Sequence, residues 1–440
     1  ELLPPVRREH VTPSLQTDLE PCGCPEGVRA GSVSRRSLLA AAGALGAVAT
    51  LPGLSGPDFS TSLAFAGTRY TGDTLVVLSL RGGCDGLSFV PPVGDPDYYA
   101  ARPNIAVPAS RALRLDPMFG LHPALKPLKP IWDAGQLAVV HAVGQQNPTR
   151  SHFAAMEQME NAAPGSHLRT GWLDRMIGAG EPAETFSSVA VGSAAAPASM
   201  MGPSPELSML SVDEFKLAAA RDKGDSQRWT TLLSALYRRA PAVLSAPMTA
   251  TVHALSATAQ PAADEPANGA HYPDSGAGLA LRDVARLIRS GLGLRAATVD
   301  VGDWDMHAGL GRSDAGWMFD RLTDLGQALA AFWTDLGPRS DRVSLVTLSE
   351  FGRRVAENAS GGLDHGLGNV SLVMGGGISG GQVYGRWPGL GRTDLVGGDL
   401  AGVTDYRTIL AELLEKRTGV STSSVFPGLD PGRLGLARAR

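Results

Sequence analysis

The 440-residue sequence has few cysteines, few aromatic residues and no long apolar run. No stretch reaches the roughly 18 consecutive apolar residues of a membrane-spanning helix, so we predict no permanent membrane span in the mature chain. Charge of one sign is also lacking, because 39 basic and 43 acidic side chains leave a net charge of −4. A chain without a basic excess is not expected to bind nucleic acid.

Residues 1–66 have the features of an export signal. Paired arginines in Ser34-Arg35-Arg36-Ser37 precede a modestly apolar run that ends at Leu51, and Ala64-Phe65-Ala66 provides a small-residue cleavage site. The paired arginines resemble a twin-arginine (Tat) signal, whereas an ordinary Sec signal or a buried helix is the alternative. We therefore predict export by the Tat machinery to the periplasm, the cell surface or the medium.

Removal of this N-terminal extension would leave a single α/β domain, residues 67–440, with one cysteine. Cys22 and Cys24 would leave with the signal, so that Cys84 alone remains and no intrachain disulfide can form. Cys84 has no neighbouring base in the sequence, and a small buried side chain is the commoner role for a cysteine of this kind. Disulfides and a cysteine nucleophile are thus not expected.

Glycine and proline are plentiful, with 54 and 31 residues, as in a loop-rich globular protein. Nearly continuous apolar runs predict buried strands over residues 75–80, 137–143, 295–301, 343–348 and 370–374. Amphipathic patterns predict helices over residues 226–239, 279–292, 314–336 and 404–416. This alternation favours a doubly wound, mostly parallel sheet with helices on both faces. The Ala/Pro-rich segment 240–276 is predicted to be a mobile insertion, and residues 382–387 an edge hairpin.

Polar motifs directly follow several of the predicted strands. Asp85 comes after the first strand, Thr149 to His152 after the second, and Asp305 with His307 after the third. Glu350 and then His365 follow the run that ends at residue 348. Because ligand sites of open α/β sheets lie at the carboxyl ends of the strands, these residues are predicted to share one site.

Asp305 and His307 are two residues apart, so in an extended segment their side chains share a face and could bind one divalent ion. In the alternative, Asp305 orients a packing histidine. Asp364 and His365 form a second candidate: Asp364 could be a ligand, the partner that holds the imidazole, or a turn cap. Glu350 could be a ligand, a general base, or an ion-pair partner of Arg353 or Arg354.

Thr149 and Ser151 lie at the predicted start of a helix, where free backbone N–H groups favour an anion. Either hydroxyl is a candidate nucleophile if a metal or base activates it. Arg150 and His152 could clamp an anionic group, or could belong to an ordinary first helical turn. Arg353 is assigned to substrate binding with His152.

Six motifs resemble those of the bacterial "domain of unknown function 1501" family, over about residues 72–436. They are L-R-G-G-C-D-G-L (80–87), N-P-T-R-S-H-F (147–153), G-D-W-D-M-H (302–307), S-E-F-G-R-R-V-A-E-N (349–358), D-H-G (364–366) and G-G-G-x-x-G-G-x-V-Y-G-R-W-P-G-L (375–390). The family is remotely similar to the alkaline phosphatase/sulfatase superfamily. That resemblance implies a doubly wound α/β core with a metal site at the strand ends.

The resemblance also implies roles for single residues. Asp85 matches the superfamily's first metal-ligand aspartate, and Thr149 or Ser151 the region of its nucleophile. Asp305 and His307 resemble its Asp…His pair, with one residue between them instead of three, and His365 its last histidine ligand. Where the superfamily has Asp-His-Gly, this chain has Ser349-Glu350-Phe351-Gly352. One metal ion, or none, is therefore an alternative to two.

The sequence thus predicts an exported, metal-dependent hydrolase of phosphate or sulfate esters. Its cofactor would be a divalent ion (zinc, manganese or calcium), and its substrate an anionic ester, either a small molecule or polymer-bound. The alternative is a non-catalytic binding or cell-surface protein that retains the phosphatase-like fold.

Overall fold

The computed structural model describes residue 70 and residues 72–180, 183–216, 223–258 and 265–440. All of these belong to one compact unit. The predicted export signal, with Cys22 and Cys24, lies outside the described residues.

One mixed sheet of nine strands organises the described chain, in the order β10-β4-β9-β8-β1-β7-β5-β6, with β11 paired to β4. A separate antiparallel pair, β2 and β3, lies in the loop region after β1. Strand β9 runs antiparallel to both of its neighbours, β4 and β8, and all other pairs of the main sheet are parallel. The strands are β1 Thr74–Leu80, β2 Leu113–Arg114, β3 Gly120–Leu121, β4 Leu137–Gly144, β5 Ser188–Val191, β6 Leu207–Met209, β7 Ala296–Val301, β8 Val343–Leu348, β9 Asn369–Gly375, β10 Val383–Tyr384 and β11 Thr404–Asp405.

Helices cover both faces of this sheet. They are α1 Gly86–Phe89, α2 Pro96–Ala101, α3 Lys129–Asp133, α4 His152–Asn161, α5 Trp172–Ala179, α6 Lys223–Tyr237, α7 Ala242–Ala257, α8 Gly276–Ser290, α9 Trp317–Leu336, α10 Tyr406–Leu413 and α11 Thr422–Val425. Buried side chains of α8 and α9 belong to one apolar core, and those of α5 and α10 to a second core. None of the described helices combines the length and the hydrophobicity that crossing a bilayer requires.

The two cores explain why the strand sequences are continuously apolar rather than alternating. In β1, Val76 and Leu78 face the core that holds α8 and α9, whereas Leu75 and Val77 face the opposite core. Burying such a side chain contributes roughly 1.5–3 kcal/mol, so both faces of the central strands stabilise the fold. The predicted α/β fold, with a mostly parallel sheet covered on both faces, is confirmed.

One local prediction needs correction. Residues 382–387 do not form a hairpin, since β10 is a two-residue strand that pairs in parallel with β4. Within the Ala/Pro-rich segment 240–276, the alanine-rich part is the helix α7, which agrees with the high helix propensity of alanine.

The antiparallel direction of β9 matters for the site. The carboxyl ends of β1, β4, β7 and β8 lie at one edge of the sheet, and β9 starts at that same edge. His365 therefore reaches this edge from the loop that leads into β9.

Candidate metal centre

The loop after β1 brings two other loops together through a tight glycine turn. Gly82 and Gly83 have φ angles of +115° and +64°, which glycine adopts far more easily than other residues. A Cβ atom on Gly82 would lie 2.8 Å from the backbone N of Asp305. The Gly82 N–H donates to Oε1 of Glu350 at 2.8 Å. The turn thus allows the loops after β7 and β8 to approach each other closely.

Three imidazoles and one carboxylate converge at this edge. Nε2 of His365 lies 3.0 Å from Nε2 of His152 and 3.0 Å from Nε2 of His307. Oδ1 of Asp305 lies 3.1 Å from Nε2 of His307 and 3.3 Å from Nε2 of His365. Oδ2 of the same carboxylate lies 3.7 Å from Nε2 of His152. In the described part of the chain, the ligand atoms of His152, Asp305 and His365 all lie within 4.8 Å of one another.

The other ring nitrogen of each histidine faces an acceptor. Nδ1 of His365 lies 2.9 Å from the Arg150 carbonyl oxygen, and Nδ1 of His152 lies 2.8 Å from Oε1 of Glu350. Nδ1 of His307 lies 3.3 Å from Oδ1 of Asp364. A carbonyl or carboxylate oxygen can only accept, so each Nδ1 carries the proton. This is the arrangement of metal-ligating histidines, in which the outer nitrogen donates and the inner one coordinates.

The inner nitrogens fit a divalent cation better than they fit a proton. A single proton on His365 Nε2 can satisfy only one of its two contacts at 3.0 Å with the neighbouring imidazoles. Two nitrogens that bind one zinc ion at about 2.0–2.1 Å lie roughly 2.9–3.4 Å apart at ordinary coordination angles. The observed separations fall in this range, and Asp305 adds an oxygen ligand of the kind that zinc also accepts. The donor set of His152, Asp305 and His365, with His307 beside the last two, therefore fits a divalent transition metal.

Arg353 is the fixed cation beside this cluster. Its guanidinium donates to Oδ1 of Asp305 at 2.5 Å and to the backbone carbonyls of Gly82, Gly83 and Leu363. Desolvation alone would raise the pKa of Asp305, but hydrogen bonds from His152, His365 and Arg353 outweigh it and hold that pKa well below its usual range. Asp305 is therefore ionised at neutral pH. The prediction of a substrate-binding Arg353 is not supported, because the side chain is only 1 % exposed.

Glu350 acts on the cluster through His152. Its carboxylate is 1 % exposed and accepts from His152 Nδ1, the Gly82 N–H and the Ser349 hydroxyl. Desolvation raises the pKa of Glu350, but the bonds from His152 and the backbone N–H groups outweigh it, so the pKa is lowered and the group is ionised. Hydrogen bonds to Asp305 and Glu350 in turn raise the pKa of His152 to about 9. A metal ion would therefore have to displace a proton from His152 at neutral pH.

One side of the cluster is open to solvent. The side chains of Asp305 and His307 are 47 % and 42 % exposed, whereas those of His152 and His365 are 18 % and 20 % exposed. The Phe351 ring packs under the two less exposed imidazoles, with centroid distances of 4.7 and 4.8 Å. A substrate could therefore approach from the side of Asp305 and His307.

Asp85 does not join the imidazoles. Its two carboxylate oxygens accept from Arg102 Nη1 at 2.5 Å and Nη2 at 2.9 Å, and Ser88 adds a third bond. Burial raises the pKa of Asp85, but Arg102 outweighs it and the pKa is lowered. The structure thus argues against the prediction of Asp85 as a metal ligand, because its oxygens are already used in a buried ion pair. A sequence motif cannot reveal this partner, which follows 17 residues later.

Of the two candidate nucleophiles, Ser151 has the less engaged hydroxyl. Ser151 occupies the N-cap position of α4, directly before His152, and its exposed side chain makes no capping bond. The Thr149 hydroxyl accepts from the Ser151 N–H at 3.2 Å. Arg150 contributes its carbonyl oxygen to His365, and its guanidinium donates to Asp399 at 2.5 and 2.9 Å.

Asp364 partners a different imidazole from the one next to it in sequence. It accepts from His307 Nδ1, and Asn358 Nδ2 donates to the same oxygen at 3.1 Å. The Asn358 bond, followed by that of His307, lowers the pKa of Asp364.

Sequence reasoning missed Asn358, Phe351 and Arg102. Asn358 and Phe351 stand within the motif after β8, but nothing in their residue type indicates contact with a histidine cluster. His152, predicted to bind substrate, lies within the cluster itself.

These features define an α/β protein with a histidine/aspartate centre at the carboxyl edge of a mostly parallel sheet. Residues 73–413 match the family described as "Protein of unknown function (DUF1501)", and the chain belongs to that family. A comparison with functionally curated proteins gave no match.

Two solved structures show a distant similarity to the chain. The sulfatase PsFucS1 from Pseudoalteromonas sp. is 11 % identical, with a TM-score of 0.37 over 84 % of this chain and 74 % of its own. The lipoteichoic acid synthase LtaP from Listeria monocytogenes is 8 % identical, with a TM-score of 0.28 over 72 % and 69 %. The fold class rests on the sheet order and the two cores described above.

Proposed function

We propose that this protein is an exported, metal-dependent hydrolase of phosphate or sulfate esters. The observation that carries the proposal is the convergence of three imidazole Nε2 atoms on the ionised Asp305, with every Nδ1 held by an acceptor. His152, His365 and Asp305 would hold the ion, and His307 lies beside them. When bound, a divalent ion would polarise the ester and stabilise the charge that develops on its oxygens.

Ser151 is the favoured nucleophile, because it precedes His152 and its hydroxyl is exposed without a capping bond. Its oxygen would form a bond to phosphorus or sulfur while the bond to the alcohol oxygen breaks and the alcohol leaves with a proton. Water would then release phosphate or sulfate from the serine. Thr149 is the second choice, since its hydroxyl already accepts a backbone hydrogen bond.

Two arginines favour an anionic substrate. Arg150 and Arg354 are 42 % and 39 % exposed, and both face the fully buried Asp399, with Arg354 Nε at 3.9 Å from Oδ1. Two guanidinium groups beside one carboxylate leave a net positive charge. Both arginines neighbour residues of the site, because Arg150 contacts His365 and the Arg354 N–H donates to the Asp364 carbonyl. They could therefore attract the charged group of a small or polymer-bound ester.

The test is hydrolysis of p-nitrophenyl phosphate and p-nitrophenyl sulfate by protein purified without chelator, then supplied with zinc, manganese or calcium. We expect turnover with at least one metal and its loss in Asp305→Ala with His307→Ala. Ser151→Ala should remove turnover while metal binding persists, and Thr149→Ala serves as the matched control. Protein that binds metal but hydrolyses neither ester would contradict hydrolysis of these ester classes.

A non-catalytic binding protein is the second candidate. It is favoured by Arg353, whose buried guanidinium already partners Asp305 and could stabilise the cluster as a structural element. In that case the Asp305→Ala and His307→Ala changes would lower the melting temperature and leave partner binding intact.

Export by the Tat pathway remains part of the proposal and rests on the twin arginines in residues 34–39. Lysine at both Arg35 and Arg36 should retain the protein in the cytoplasm. Unchanged export of that variant would argue for another route.

A further inference from the structure

Helices α6 and α7 follow each other in the chain and form a pair, and neither contributes a residue to the proposed metal centre. Helix α7 reaches the core through Ala254, which is fully buried. Helix α6 packs on α7, and each of its described side chains is exposed or only partly buried. The outer helix therefore gains little stability from the core of the protein, although its sequence is rich in large apolar residues.

These apolar residues form one exposed face of α6. Trp229, Leu232 and Leu236 are 38 %, 56 % and 69 % exposed. Their spacing of three and four residues places them on the same side of the helix. Leu244, near the start of α7, is 51 % exposed and adds to the apolar surface of the pair. Exposing several large side chains side by side is unusual for a monomeric surface and indicates an interaction site.

The charges of this helix pair are predominantly positive. Residues 223–258 contain four basic residues, Lys223, Arg228, Arg238 and Arg239, and one acidic residue, Asp225, in the first turn of α6. Arg228 precedes Leu232 by four residues and so lies beside the apolar face, whereas Arg238 and Arg239 directly follow Tyr237, the last residue of α6. The side chains of all three arginines are exposed. An exposed helix with an apolar face, a tryptophan and flanking cations has the composition of a helix that lies in the interface of an anionic membrane.

We propose that the α6–α7 pair binds the surface of membranes that contain anionic lipids. A bilayer interface accepts Trp229 and the two leucines without a complementary groove, and its anionic headgroups match the four basic residues of the pair, which the single carboxylate of Asp225 offsets only in part. An acidic protein partner would also complement the charge, but it would need a concave surface to receive this face. The proposal does not depend on the proposed hydrolase activity.

The test is sedimentation of the purified full chain with phosphatidylcholine vesicles, with and without phosphatidylglycerol. We expect about tenfold or stronger binding to the anionic vesicles, with a loss as salt rises. Trp229→Ser with Leu232→Ser, and separately Arg228→Gln with Arg239→Gln, should each reduce binding by about tenfold. Leu210→Ser is the matched control, because Leu210 is a leucine outside the two helices with a similar exposure of 57 %. All variants keep residues 1–66, so any contribution of that segment cancels.

Several results would overturn the proposal. Equal binding to neutral and anionic vesicles, or binding that both paired variants retain, would exclude this surface as an anionic-lipid site. If sedimentation velocity shows a dimer that Leu232→Ser converts to a monomer, the face would instead be assigned to a second copy of the chain.

The melting temperature of each variant is the control for folding. An unchanged melting temperature would show that lost binding does not reflect unfolding.

Discussion

Replacing Glu350 by glutamine tests how the candidate metal centre is held. Glu350 does not face the point where the three Nε2 atoms meet, but it accepts from His152 Nδ1 at 2.8 Å and from the Gly82 N–H at 2.8 Å. Glutamine has nearly the same shape, and its amide oxygen can accept both bonds. The substitution therefore removes the negative charge and leaves the position of the imidazole largely unchanged.

The charge should affect metal affinity in two opposing ways. Loss of such a carboxylate partner weakens metal binding about 10- to 100-fold, or about 1.4–2.7 kcal/mol, because the imidazole becomes a poorer donor. The same loss lowers the pKa of His152, which hydrogen bonds to Asp305 and Glu350 raise to about 9. Above pH 9, where His152 has lost its proton in both proteins, the full weakening should be measured. At pH 7 the wild type must first release that proton, so the difference should be smaller.

Competition with a metal-binding dye at pH 7 and at pH 9.5 would measure these affinities. The wild-type protein should gain affinity over this range more steeply than the Glu350→Gln variant. Ser349→Ala is the matched control, because it removes a bond to the same carboxylate and no charge. Equal affinity of wild type and variant at pH 9.5 would refute the role given to Glu350.

Three further predictions concern stability. His152 has a pKa of about 9 in the folded protein and about 6.5 in the unfolded chain. Its protonation therefore stabilises the metal-free protein fully below pH 6.5, and this contribution is lost as the pH rises through 9. The melting temperature of chelator-treated protein should fall over that range, and His152→Gln should lessen the fall. Asp85→Asn should lower the free energy of unfolding by about 3–5 kcal/mol, because it leaves Arg102 as an unpaired buried charge. Denaturant titration would measure this change, and metal affinity should be retained. Burial lowers the pKa of His141 to about 4, so between pH 6.5 and pH 4 the unfolded state binds a proton that the folded state does not. The free energy of unfolding should therefore decrease as the pH falls through this range, by at most about 3 kcal/mol from this group. The decrease should be smaller in His141→Gln.

The fold could be predicted largely from the sequence because its strands are buried on both faces. The apolar run 343–348 coincides with β8, and the runs at 75–80 and 137–143 differ from β1 and β4 by one residue at an end. Short elements were harder to predict, since two-residue strands such as β10 carry no periodicity and depend on tertiary contacts. The direction of β9 cannot be predicted from the sequence either, because a continuous apolar run looks the same whether the strand is parallel or antiparallel.

The location of the site could be predicted, whereas the partners within it could not. The strand ends indicate the edge of the sheet at which Asp305, His307 and His365 lie close together. Residue type does not show whether a buried carboxylate faces a metal site or an arginine, which is why Asp85 was placed among the ligands. For the same reason the sequence leaves Asp364 open as a ligand, as a partner of the His365 imidazole or as a turn cap, whereas its contact is with His307.

The most direct test of the candidate metal centre is the metal content of the full chain, purified without chelator and measured by mass spectrometry. We predict about one divalent ion per chain, as expected for one group of converging ligands, His152, Asp305 and His365. His365→Ala should lose it, because His365 Nε2 contacts both other imidazoles. A correctly folded wild-type protein that contains no metal, and takes up none when zinc, manganese or calcium is added, would contradict the account.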